Sequence, residues 1–246
     1  LIKLLAVLGD KNNYNIDKNI LEAFPSTVTQ YGNARKLFDL CGYTMHWYTS
    51  GQTELTLKNK SADLGNVNYS LPLYTMFTDS TKKFVYTLIP QSSPYNISLP
   101  QKASQKSYIV MEGKHQSYDV NGISTIQLTN LDADLRLYFE DTHIAENGIF
   151  IQNVGDEASG EYWKAVDNLS SYPLNNKVYK FGVLPNSNTC YIQFPQDIYN
   201  LIGSGITVDY LISNGLEGNI KANTLNSFLE DVTIDVNGNK VSLNEN

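Results

Sequence analysis

His46, His115 and His143 are the side chains best suited to proton transfer or metal binding. None has a second His, Cys or Asp at metal-ligand spacing, so each reads as a surface or half-buried residue. Carboxylates cluster twice, at Asp132, Asp134, Glu140 and Asp141, and at Asp156, Glu157 and Glu161. Two carboxyl groups held across a sugar cleft would hydrolyse a glycosidic bond, but carboxylates that flank strands and turns ordinarily form a solvated face. Neither a nucleophile elbow nor a His-Glu-x-x-His motif is present. The glycines of Asn214-Gly215 and Gly218-Asn219 could cradle phosphate only with a helix start and a Lys or Ser/Thr at fixed spacing. Those are missing, so Gly215, Gly218 and Asn219 read as a structural turn. No catalytic, cofactor-binding or metal-binding residue is assigned, and no cofactor is expected.

The elements that must position these residues change period near Gly42. Before it, Leu1, Leu4, Leu5 and Leu8 follow i, i+3, i+4, i+7, and Ile16, Ile20 and Phe24 continue an apolar stripe. The spacing predicts a helix, loosened at Asn12-Asn13 and ended by Pro25, with Asp10, Asp17 and Glu22 on its polar side. Thr27 and Gln30 form a capping box for a second helix, whose apolar face carries Ala34, Leu37, Phe38 and a buried Cys41. After Gly42 the period is two. Strands are expected at 53–58, 83–89, 107–113, 124–129, 134–140, 148–154, 177–183, 190–195 and 206–213, with turns at Asn121-Gly122, Asn147-Gly148 and Asn237-Gly238. Residues 161–172 read as a short helix or a loop anchored by Trp163. The fold class is α+β: a helical pair at 1–43, then a β-rich body of mostly antiparallel strands at 44–246, divisible into 44–155 and 156–246.

Composition narrows function. The 246 residues carry a net charge of −7, against the basic face of a nucleic-acid binder. No apolar run reaches the ~18–20 residues of a membrane span. Two cysteines, Cys41 and Cys190, make no disulfide framework in a chain this long. Seventeen tyrosines could line a sugar-binding face or a protein interface. The chain opens on Leu1 within an apolar run, and the expectation is a piece of a longer subunit.

Four segments, in order, carry a resemblance. "ITVDYLISNGLEGNIKANTL" (206–225) has an alternating strand, a Gly-x-x-Gly-Asn turn and a small-residue exit, through Gly215, Gly218, Asn219, Ala222, Thr224 and Leu225. Residues 4–43 supply a two-helix opening through Leu4, Leu5, Ala6, Asp10, Tyr14, Asp17, Glu22, Ala23, Phe24, Thr27, Leu37, Gly42 and Tyr43. "YIVMEGKHQSYDV" (108–120) supplies a strand and a Glu-Gly turn, and 161–197 a Trp-containing segment. Together they resemble the baseplate wedge and baseplate J-like structural proteins of contractile-tailed bacteriophages. Two positions depart from that pattern: Pro195-Gln196-Asp197 replaces a glycine after Phe194, and no Arg follows Tyr43.

The resemblance implies a non-enzymatic structural subunit of the virion tail baseplate, made in the cytoplasm of the bacterial host. It would pack around the tail hub, binding other wedge and hub proteins and copies of itself in a ring, with no nucleic acid and no membrane span. Leu1, Leu4, Leu5, Leu8, Ile16, Ile20 and Phe24 would form the protein interface. Two alternatives stand beside it: a carbohydrate- or receptor-binding tail module, and a tail-associated glycosidase.

Overall fold

The computed structural model describes residues 2–24, 26–41, 43, 45–58, 70–90, 96–98, 105–119, 122–156, 159–184, 187–221, 224–230, 232–236 and 239–242. Helices α1 (Ile2–Leu21) and α2 (Tyr31–Leu40) come first. Strands follow as β1 (Gln52–Lys58), β2 (Ser70–Pro72), β3 (Met76–Thr78), β4 (Val85–Leu88), β5 (Asn96–Ser98), β6 (Gln105–Glu112), β7 (Lys114–Ser117), β8 (Arg136–Tyr138), β9 (Ile144–Asn153), β10 (Lys164–Ala165), β11 (Val178–Val183) and β12 (Cys190–Gln193). The single-turn α3 (Ile198–Leu201) precedes β13 (Ile206–Ile212), β14 (Ser227–Phe228), β15 (Thr233–Val236) and β16 (Asn239–Ser242). The architecture is α+β, and mostly β.

Contacts divide the chain into two compact units. One holds 1–46, 138–142 and 182–191; the other holds 47–137, 143–181 and 192–246.

In the first unit, α1 runs unbroken through Asn12-Asn13. The corner after it departs from the expected capping box. Thr27 donates its hydroxyl to Leu21 O and Phe24 O, closing α1 rather than opening α2. Glu22 opens α2 instead. Its carboxylate accepts from the Thr29 N–H (3.1 Å), the Thr29 hydroxyl, the Gln30 N–H (3.1 Å) and Asn33 Nδ2 (3.2 Å). Glu22 therefore does not belong to α1's solvated side; it satisfies donors at the start of the next helix. Cys41 is exposed, whereas Cys190 is buried. α2 ends at Leu40, so Cys41 sits past the last turn and leaves the apolar face.

The second unit is built on antiparallel pairing. A five-stranded sheet runs β1-β6-β4-β3-β14. Its core gathers Leu71, Phe77, Tyr86, Leu88, Tyr108 and Val110, with Leu55, Ile220 and Phe228 packed on it. Aromatic, β-branched and leucine side chains together fill a pleated surface buried on one face. A three-stranded sheet runs β7-β13-β9. A four-stranded sheet has the order β10-β11-β12-β8, with β10 parallel to β11, and two antiparallel pairs join β15 with β16 and β2 with β5.

Two expectations fail locally. Residues 124–129 make no strand: Ile126 forms an isolated bridge with Ile206, and 128–130 is a 3₁₀ turn. Asn130 Oδ1 accepts the Gln127 N–H at 2.8 Å and curls the backbone away from extended pairing. Asn147-Gly148 lies inside β9 and makes a bulge, not a turn. Tyr210 pairs Ile149 and Ile212 pairs Ile144, so two steps along β13 match five along β9. Asn147 uses its side-chain amide as a peptide would, accepting from Ser50 N (2.9 Å) and donating to Ser50 O (3.1 Å). Asn121 and the pair Asn237-Gly238 lie outside the described residues. Trp163 is the expected anchor: buried, edge-on to Phe194 at 5.4 Å, and donating its indole N–H to Asn153 Oδ1 at 2.7 Å.

Candidate functional site

The bulge switches the face of β13. Ile206, Val208 and Tyr210 are buried as the alternation demands, but then Leu211 is buried and Ile212 only half so. Ser213 is thereby turned inward, toward the end of β6. There Glu112, 1% exposed, accepts from the Ser213 hydroxyl, the Asn214 N–H (3.0 Å) and Asn214 Nδ2 (3.1 Å). The Ser213 hydroxyl in turn accepts the Gly215 N–H at 2.9 Å. A buried carboxylate is tolerated because donors surround it.

Gly215–Gly218 forms one 3₁₀ turn. Gly215 has φ 58°, in the left-handed region. Gly218 does not; its need is space. A Cβ there would stand 2.3 Å from Glu112 Cδ and 2.5 Å from Cγ. The Tyr86 hydroxyl donates to Gly218 O at 3.0 Å, and burial, followed by the nearby Glu112 carboxylate, raises its pKa. Asn219 Nδ2 closes the turn on Leu216 O at 3.2 Å. Leu216 stands 91% exposed at the tip. Sequence reasoning found the turn but missed Glu112, although a Glu ending the apolar run of β6 was the available signal.

No protein-family model matches the chain, and no curated protein does.

The candidate chemical groups have structural partners. His115 Nε2 lies 2.9 Å from Asp209 Oδ1, and the ring stacks on Tyr74 at 4.1 Å. Ser117 also donates to Asp209 Oδ1, at 2.6 Å. Asp209 thus stands between Ser117 and His115, which reverses the order a nucleophilic triad requires, where the imidazole must bridge. His143 packs on Tyr48 at 4.8 Å, and His46 is exposed.

The acidic clusters organise loops. Asp132 Oδ1 accepts from the N–H groups of Asp134 and Arg136. Asp156 and Glu161 each hold Lys177 Nζ at 2.7 Å. Burial opposes the Lys177 charge, but those two carboxylates outweigh it and raise the pKa. Glu157 lies outside the described residues. Among the described residues no group of three His, Cys, Asp or Glu could hold a metal ion, and no helix is long and apolar enough to cross a membrane.

Of the expected apolar stripe, Ile16 and Ile20 lie on α1, whereas Phe24 lies past the helix, which ends at Leu21 and not at Pro25; each is more than half exposed, as are Tyr14 and Leu21. Leu1 and the side chains of Leu4, Leu5 and Leu8 lie outside the described residues.

Proposed function

We propose that this chain is a structural subunit of a contractile-tail baseplate wedge, built to hold neighbouring subunits rather than to catalyse. The observation that carries the proposal is the apolar surface of α1 and the turn that follows it. Tyr14, Ile16, Ile20 and Leu21 on the helix and Phe24 just beyond it stand largely in water, and several apolar side chains concentrated on one surface mark an interaction site. The order of the four sequence segments supports the same reading and supplies the partners: wedge and hub proteins of the virion tail, and further copies of this chain in a ring. The mechanism is mechanical. The β-rich unit acts as a spacer, and α1 is the contact that holds one ring arrangement until a trigger favours another.

The test is co-expression of the full chain with the wedge and hub proteins encoded beside it, read by native mass spectrometry. Defined complexes are expected, and Ile16→Asp with Ile20→Asp should abolish them, because two charges cannot be accommodated at an apolar seam. A chain that stays monomeric with every co-expressed tail protein would overturn the proposal.

A further inference from the structure

An open cleft of about 830 Å³ lies in the second unit, between the 168–174 segment and the 193–199 segment. Its size falls within the roughly 300–1,000 Å³ of small-ligand sites. Two tyrosines line it with their rings in water, Tyr172 at 38% and Tyr199 at 64% exposure. The buried Phe194 belongs to its lining and is braced by Trp163.

The walls are tied before any ligand arrives. The Asp197 carboxylate accepts the Asn175 N–H from the facing segment. Asn168 Oδ1 accepts from the Ser170 N–H at 3.1 Å and the Ser170 hydroxyl at 2.8 Å. Gln193 Nε2 donates to Asp134 O at 3.1 Å. A preorganised rim lowers the ordering cost of binding. The Lys180 ammonium and the Gln196 amide also line the cleft, with no protein partner among the described residues.

From this arrangement we infer that the cleft binds a neutral oligosaccharide. Tyrosine rings offer flat apolar faces to the C–H side of a sugar ring and lose little entropy on doing so. Amide, ammonium and carboxylate groups pair with its hydroxyls. Among the described residues that line the cleft, Lys180 is the single cation, set against Asp134 and Asp197, so a phosphate or another polyanion finds no positive surplus. A polyproline segment would use the rings but leave those polar groups unpaired. This inference does not rest on the assembly reading.

The test is isothermal titration of the full chain with neutral hexaoses of glucose, N-acetylglucosamine and mannose, and with a proline-rich decapeptide. At least one hexaose should bind. Tyr199→Ala should weaken it by about tenfold and Tyr199→Phe by much less, since the ring face does the stacking. Both variants should melt as the wild type does, because Tyr199 is exposed. Three outcomes overturn the inference: no hexaose binds at millimolar concentration, binding survives Tyr172→Ala with Tyr199→Ala, or only the decapeptide binds. A chain that assembles yet binds no hexaose sinks this inference alone. A chain that binds a hexaose yet meets no subunit sinks the assembly reading alone.

Discussion

The Cα of Gly218 lies against the side chain of Glu112, so closely that a methyl group on it would sit 2.3 Å from the carboxyl carbon. The carboxylate cannot withdraw, because Ser213 and Asn214 hold it and it has no exit to water. Gly218→Ala should therefore destabilise the chain by about 1–3 kcal/mol, the usual cost of overpacking. Gly218→Asn should be no milder, since the backbone there is not left-handed. Urea midpoints measure this; an Ala variant as stable as the wild type would remove the close approach as the reason for glycine.

Gly215 makes the opposite demand. Its φ of 58° favours residues that tolerate the left-handed region. Gly215→Val should cost about 1–3 kcal/mol through backbone strain, and Gly215→Asn distinctly less. A melting series of the two variants distinguishes them, and equal losses would contradict the conformational account.

The corner between α1 and α2 should be sensitive to acid. The Thr29 hydroxyl, against the opposing cost of burial and helped by Gln30, Asn33 and the Thr29 N–H, holds the Glu22 pKa down to about 2. A pKa lower in the folded state contributes stability that is present in full above the unfolded value of about 4.3 and lost as pH falls toward 2. Helical ellipticity of the full chain should fall across that window. Glu22→Gln should remove this component of the pH dependence, and an unchanged acid profile in the variant would refute the assignment.

The two thiols should separate cleanly. Cys41 is exposed and Cys190 is buried, so a thiol reagent should modify one equivalent quickly in the native protein and the second only in denaturant. Cys41→Ser should abolish the fast phase. Two fast equivalents would place Cys190 at the surface.

Substitutions on α1 should leave folding alone. Ile16→Ser and Ile20→Ser remove side chains that are already more than half in water, so stability should change by no more than about 0.5 kcal/mol. Thermal melts of the purified variants read this directly, and a large drop would assign those side chains to the chain's own core.

The helical opening and the strand-rich remainder were legible in the sequence, because the period of the apolar residues reports the repeat of the element that carries them. Leu and Ile at helical spacing foretold α1, and the alternation at 206–210 foretold the buried face of β13. The Gly-x-x-Gly-Asn turn was legible too, because glycine marks backbone that a side chain would obstruct. Only the tertiary structure decided which obstruction applied: handedness at Gly215, and at Gly218 a carboxylate more than a hundred residues earlier in the chain. The same limit explains Asn147-Gly148, a turn by its local chemistry but a bulge once β9 meets β13, and Glu22, a polar helix residue by period but a cap once α2 folds back to it. Local propensity is written in neighbouring residues. Long-range pairing decides where donors, acceptors and empty space meet, and the cleft between 168–174 and 193–199 exists only at that level.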